Sequence, residues 1–212
     1  MISIKNKRIL VLAPHTDDME FGCGGTIAKL IEEGNEVYCT AFSACEQSVR
    51  KDFPKDSLIT EIKLATQVLG IPEDKLILYK FAVRTFNYHR QEILEELIKL
   101  RDTINPDIIF MPALDDLHQD HSTIALEGLR AFKLKTILCY EMIWNNLSFN
   151  TTCFFSLTEA HIGKKVAALK EYKSQAHRPY ASEEFIRSLA KTRGVQIGKE
   201  YAECFQVLRL TL

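Results

Sequence analysis

The most constraining stretch of this chain is Ile9-Leu10-Val11-Leu12-Ala13-Pro14-His15-Thr16-Asp17-Asp18-Met19-Glu20-Phe21-Gly22-Cys23-Gly24-Gly25. A continuous apolar run of strand length marks a strand buried on both faces, because a half-exposed strand alternates apolar with polar residues. The run stops at a proline and is followed at once by a histidine and two aspartates, then by a glycine cluster and a helical pattern. In an open α/β sheet, ligands bind beyond the carboxyl ends of the strands. His15, Asp17 and Asp18 are therefore expected to face a crevice. The glycines are expected to form a tight turn between strand and helix, with the helix running from Thr26 to Glu33.

The rest of the chain alternates in the same way. Strands are predicted at residues 36–42, 76–79, 108–111, 136–140, 154–155 and 201–210. Helices are predicted near 57–69, 91–104, 121–129, 159–175 and 182–193, from apolar spacings such as Ile93, Leu94, Leu97 and Ile98. This order predicts an α/β fold, a Rossmann-like three-layer sandwich with a mostly parallel central sheet. The length of 212 residues fits one domain spanning 1–212.

Charge excludes some partners. With 27 basic and 28 acidic residues, and no arm or stripe of Lys and Arg, the chain has no electrostatic footprint for nucleic acid. No segment approaches the ~20 apolar residues of a transmembrane helix. The short apolar run behind Lys5, Lys7 and Arg8 enters His15 too soon to be a signal peptide. Six scattered cysteines without a Cys-x-x-Cys pair fit a reducing, cytoplasmic setting.

A second cluster repeats the first. The Ile108–Met111 strand ends at Pro112 and leads to Leu117-His118-Gln119-Asp120-His121. Two strand ends of one sheet can bring both clusters to one crevice. Three protein ligands with an open fourth position is the arrangement of a catalytic zinc. His15, Asp18 and His121 are the expected set, and Fe2+ suits the same mixed donors. Asp17 is then placed to act as general base, and His118 to stabilise an oxyanion or protonate a leaving amine. Asp120 is expected to hold His118 in its working tautomer. Asp115-Asp116 is read as a solvated loop pair and Trp144 as a packing residue. Gly22-x-Gly24-Gly25 lacks the spacing of a dinucleotide-binding turn, and its acidic neighbours would repel a pyrophosphate.

The Pro14–Ala28 segment resembles the His-Pro-Asp-Asp motif and glycine turn of the PIG-L/LmbE-like zinc-dependent N-deacetylases. His118-Gln119-Asp120-His121 resembles that family's His-x-Asp-His motif. Further similarity lies at Lys170 to Gln175, Arg193-Gly194 and Tyr201 to Phe205. The resemblance implies a Rossmann-like fold and removal of an acetyl group from an N-acetylglucosaminyl-type amino sugar, on a nucleotide or a lipid carrier. It implies zinc on His15, Asp18 and His121, Asp17 as base and His118 as electrophile or acid. It also allows a homo-oligomer of no stated number. The closest rival activities are hydrolysis of another N-acyl or N-formyl amine, and sugar binding without catalysis.

The chain departs from the family pattern at Thr16, where proline is usual, and at Met19. Leu58 stands where many members carry a substrate-contacting arginine, so Arg50 and Arg84 are the candidates to replace it. Phe86, Tyr88 and the polar loop from Ser43 are further candidates for binding the rest of the substrate.

Overall fold

A computed structural model describes residues 4–211. Its strands form one seven-stranded sheet in the order β3-β2-β1-β4-β5-β7-β6. Those strands are β1 (Arg8–Ala13), β2 (Glu36–Ala41), β3 (Leu76–Leu78), β4 (Ile108–Pro112), β5 (Thr136–Tyr140), β6 (Cys153–Leu157) and β7 (Tyr201–Arg209). The first five run parallel, whereas β7 pairs antiparallel with both β5 and β6. The helices are α1 (Asp18–Glu32), α2 (Ser57–Leu69), α3 (Arg90–Ile104), α4 (Gln119–Ala131), α5 (Glu159–Lys170) and α6 (Glu183–Val195). The sheet is thus the mostly parallel centre of a three-layer α/β fold.

The continuous apolar character of β1 follows from its place in the middle of this sheet. Ile9, Val11 and Ala13 point into a core shared with α1, α2, α5 and α6. Leu10 and Leu12 point into a second core against α3 and α4. Both faces are sealed from Ile9 to Ala13, so these five positions are all apolar, and only Arg8 at the partly exposed start of the strand is polar.

The chain departs from β1 toward β2 and β3 on one side, and β4 and β5 lie on the other. The crevice between the carboxyl ends of β1 and β4 is therefore the point at which the strand order reverses, where open α/β sheets bind ligands. Both His-containing clusters hang from these two adjacent strands.

The glycine cluster is a correction. It does not form a turn, because α1 begins at Asp18 and the glycines lie inside it. They serve close packing: a Cβ on Gly22 would come 2.4 Å from Cδ2 of Tyr140, and one on Gly25 would come 2.7 Å from Cδ1 of Leu157. The helix is broken at Cys23 (φ -149, ψ 17). The break is satisfied by a buried ion pair. The Gly25 and Thr26 N–H groups donate to the Glu203 carboxylate at 3.1 and 2.6 Å, and Lys165 Nζ donates to the Phe21 carbonyl at 2.6 Å. Lys165 and Glu203 themselves meet at 2.6 Å, so these two N–H groups and the Phe21 carbonyl each have a charged partner. Glu203 and Arg193, which bonds Glu141, thus brace the fold.

Smaller differences concern ends. The 159–175 segment is α5 followed by a 3-10 turn at Lys173–Gln175. Glu61 fixes that turn, accepting from the Ser174 N–H at 2.9 Å and its hydroxyl at 2.6 Å.

Candidate metal centre and pocket

Pro14 ends β1 and turns the chain so that His15 lies over the sheet edge, while Asp17 occupies the N-cap position of α1. Asp17 makes no side-chain capping bond there, so its carboxylate is left for the pocket. On the other side of the crevice, His118 caps α4: its Nδ1 accepts from the Asp120 N–H at 3.2 Å. One helical turn later, His121 is buried.

Three atoms form a nearly equilateral triangle. His15 Nδ1 and His121 Nε2 are 3.3 Å apart, His15 Nδ1 and Asp18 Oδ2 are 3.3 Å apart, and His121 Nε2 and Asp18 Oδ2 are 3.2 Å apart. For a tetrahedral ion with ligand bonds of about 2.0–2.1 Å, the separation between ligands is about 3.3–3.4 Å. The triangle therefore has the dimensions of three corners of such a site. His118 stands beside it, with ring centroids 4.8 Å from those of both His15 and His121. The donor atoms of the three imidazoles all lie within 4.8 Å of one another, a grouping that could hold a metal ion. The triangle with Asp18 has all three edges near the tetrahedral value.

Each triangle imidazole turns its outer nitrogen to a buried carboxylate. His15 Nε2 lies 3.0 Å from Asp120 Oδ2, and His121 Nδ1 lies 2.8 Å from Asp116 Oδ2. With the outer nitrogen protonated and donating, the inner nitrogen presents its lone pair to the triangle. Asp120 is thus corrected from its expected role: its carboxylate bonds His15, and only its backbone meets His118. Asp116 was missed. It is buried, not a solvated loop residue, and the signal available was its spacing of five residues before His121.

Electrostatics follow from this crowding. Burial opposes ionisation of Asp18, but His121 and His15 outweigh it and hold its carboxyl well below the usual range. Burial likewise disfavours a charged His121, yet the carboxylates of Asp18 and Asp116 push it up to about 10. The surrounding carboxylates favour positive charge at the centre of the triangle, of the kind that a divalent cation would supply without protons on the imidazoles. Burial, with the neighbouring Asp18 charge, raises Asp17 to about 6. Burial and the two other imidazoles lower His118 to about 4, so it is neutral at pH 7. With Nδ1 accepting a backbone hydrogen bond, the proton of neutral His118 sits on Nε2.

The triangle floors an open pocket of about 330 Å3. Its walls include Asp17, His118, Arg84, Trp144, Arg178 and Tyr180. Arg84 is placed at the pocket as expected. Arg50 is not: it is exposed on the 43–56 loop and pairs with Asp52 at 2.8 Å, although Cys45 and Ser48 of that loop do line the pocket. Phe86 is buried behind His15, its N–H donating to Asp120 at 3.3 Å, and Tyr88 lies exposed outside the pocket. Trp144 is not simply packed away. Its indole stacks on Tyr180 at 4.0 Å with an 11° interplanar angle and forms part of the pocket wall. Arg178 and Tyr180 had no sequence signal beyond an Arg-Pro-Tyr turn.

A largely parallel α/β sheet with an imidazole–carboxylate cluster at its switch point defines the class of protein. The chain belongs to the PIG-L family: residues 10–132 match the family described as GlcNAc-PI de-N-acetylase, a span holding both His clusters. It is 29% identical over 185 residues to the uncharacterized deacetylase YaiS of Escherichia coli K12, covering 82% of this chain and 96% of that protein. It is 24% identical over 220 residues to diacetylchitobiose deacetylase of Thermococcus kodakarensis, covering 93% and 81%. Among solved structures, N,N'-diacetylchitobiose deacetylase from Pyrococcus horikoshii superposes with a TM-score of 0.79 at 21% identity, over 95% of this chain and 84% of that one. GalB, the 4-carboxy-2-hydroxymuconate hydratase of Pseudomonas putida KT2440, also gives 0.79, at 18% identity over 97% and 98%. These two likenesses concern the fold, which hosts both a deacetylase and a hydratase. The reaction must be argued from the site.

Proposed function

We propose that this protein hydrolyses the amide of an N-acetylated amino sugar of the N-acetylglucosaminyl type, releasing acetate and a free amine. The observation that carries the reading is the His15–Asp18–His121 triangle, at tetrahedral dimensions, flooring a pocket lined by an uncapped Asp17. Membership of a family described as de-N-acetylases supports it.

His15 Nδ1, Asp18 Oδ2 and His121 Nε2 would hold a divalent cation, zinc or Fe2+. A cation there supplies Lewis acidity toward the amide carbonyl and lowers the pKa of water from ~16 toward ~7.

The chain's own groups do the rest. Asp120 and Asp116 hold the two imidazoles with their lone pairs inward. Asp17, pushed up to about 6, is ionised at neutral pH yet basic enough to take a proton from the attacking water. As the water oxygen bonds to the acyl carbon, the carbonyl oxygen gains charge, and the Nε2–H of neutral His118 donates to it. The C–N bond then breaks, and the proton held by Asp17 passes to the departing nitrogen. The pocket volume is at the lower end of the ~300–1,000 Å3 of small-molecule sites, which suits one sugar ring with its acetamide.

No helix among the described residues is long and apolar enough to cross a membrane. All six cysteines are free, five of them buried, which supports a reducing, cytoplasmic setting.

The test is acetate release by the zinc-loaded protein from a panel of N-acetylated, N-formylated and N-propionylated glucosamines. Release that is fastest from the acetyl compound supports the reading. Zinc bound stoichiometrically with no acyl release from any of them would overturn it.

A further inference from the structure

Two arginines line the pocket from separate segments, Arg84 between β3 and α3, and Arg178 between α5 and α6. Of the eight other arginines, Arg50, Arg90, Arg101, Arg130, Arg187 and Arg193 are each in an ion pair with a carboxylate, and Arg8 and Arg209, far from the pocket lining, are not. Among the described residues, neither pocket arginine has such a partner.

Both are held in place by contacts that leave guanidinium donors free. Arg84 takes a left-handed backbone (φ 69), a conformation that costs free energy for any side chain with a Cβ. Its N–H donates to Asp120 Oδ2 at 2.6 Å, the same oxygen that lies 3.0 Å from His15. The Cα of Arg84 is thus tied to the metal triangle through one carboxylate. Arg178 uses its Nε on Gln175 Oε1 at 2.7 Å, and its guanidinium lies 5.7 Å over the Tyr180 ring. Tyr180 is in turn fixed by its stack on Trp144. No carboxylate lies within ion-pair distance of Arg178 among the described residues, although its charge also acts on Asp17.

We infer that this pocket selects N-acetylated amino sugars that carry an anionic oxygen group, a carboxylate or a phosphate, received by Arg84 and Arg178. The inference rests on the deacetylase reading and names the substrate class for it. Guanidinium groups bind such anions through paired, charge-assisted hydrogen bonds that a neutral hydroxyl does not match.

The experiment compares kcat/KM for acetate release from N-acetylglucosamine, N-acetylglucosamine 1-phosphate and N-acetylmuramic acid by the zinc-loaded protein. Arg84→Gln, Arg178→Gln and Arg178→Lys are assayed beside the wild type, with matched zinc content and thermal unfolding. The expected result is a preference of about tenfold or more for at least one anionic sugar over the neutral one, weakening as salt is added. The phosphate and the carboxylate arms identify which anion is read. Each Gln variant should lower the anionic-to-neutral ratio toward one, chiefly through KM, and Arg178→Lys should keep part of it. A wild-type ratio at or below one, or a ratio unchanged in both Gln variants, overturns the inference. Equal release from all three sugars does so while leaving the deacetylase reading intact. Release from none of them, together with none from the acyl panel, removes both.

Discussion

Oδ2 of Asp120 lies 3.0 Å from Nε2 of His15 and also accepts the Arg84 N–H at 2.6 Å, so one carboxylate joins the His15–Asp18–His121 triangle to the pocket wall. Its other oxygen accepts from Phe86 at 3.3 Å. A group this committed orients its neighbour rather than taking part in proton transfer. Asp120→Asn should therefore weaken zinc binding about 10- to 100-fold while leaving a measurable turnover at saturating zinc. Competition against a chromogenic chelator measures the first and acetate release the second. Unaltered zinc affinity would show that the pairing with His15 is incidental.

Asp116 is the matching partner of His121, at 2.8 Å. Asp116→Asn should weaken zinc by a comparable factor, and the double variant should fall short of the product of the two factors, because both act on one ion. Isothermal titration of the three proteins decides this.

Asp17 stands apart from these supports. It makes no capping bond, so Asp17→Asn should leave zinc content and thermal stability close to those of the wild type. The loss of a positioned general base should cost about 10^2 to 10^4 in kcat. Stoichiometric zinc with undiminished acetate release would remove Asp17 from the mechanism.

Glu20 is fully buried with no hydrogen-bond partner for either carboxylate oxygen. Burial, aided by Asp17 and Asp18, pushes it up to about 8 from an ordinary 4.5. Between those two pH values the folded chain keeps a proton that the unfolded chain has released. Stability contributed by the protonated form is therefore lost as pH rises through that window, and fully lost above it. Glu20→Gln should match the wild type near pH 4.5 and exceed it above pH 8, on the order of a few kcal/mol. Urea unfolding at several pH values measures the difference. A constant gap at all pH values would show that Glu20 does not titrate in this range.

Gly22 lies against the buried ring of Tyr140, whose hydroxyl donates to the Leu12 carbonyl at 3.0 Å. Alanine favours a helix interior over glycine by about 1 kcal/mol. A Cβ 2.4 Å from a ring fixed at both ends costs more, about 1–3 kcal/mol or above, and should win. Gly22→Ala should lower Tm by several degrees, measured by calorimetry. A raised Tm would mean that the ring shifts freely.

The order of elements was legible because strand and helix periods are local properties. Both faces of β1 are covered, so its apolar run is continuous, and the same holds for β4. The glycines of α1 misled because a glycine needed for a turn and one needed for close approach look alike in a sequence. The difference lies in Tyr140 and Leu157, more than 100 residues away. Arg50 and Arg84 were equivalent as letters, but Asp52 claims one and a hydrogen bond to Asp120 fixes the other at the pocket.

The sequence alone determined the chemistry on offer: two strand ends, each followed by histidine and aspartate, in a chain whose alternating pattern forces a sheet between covering helices. Ligand-forming atoms are properties of side chains, and short spacings set which can share one turn. Only the tertiary structure decided which atoms meet. The pairing of β1 with β4 brings His15 Nδ1 within 3.3 Å of His121 Nε2, across 106 residues of chain. It also set Asp120 on His15, Asp116 on His121, and Arg178 over Tyr180. Such contacts depend on distances between segments that the backbone brings together only when the whole sheet is assembled.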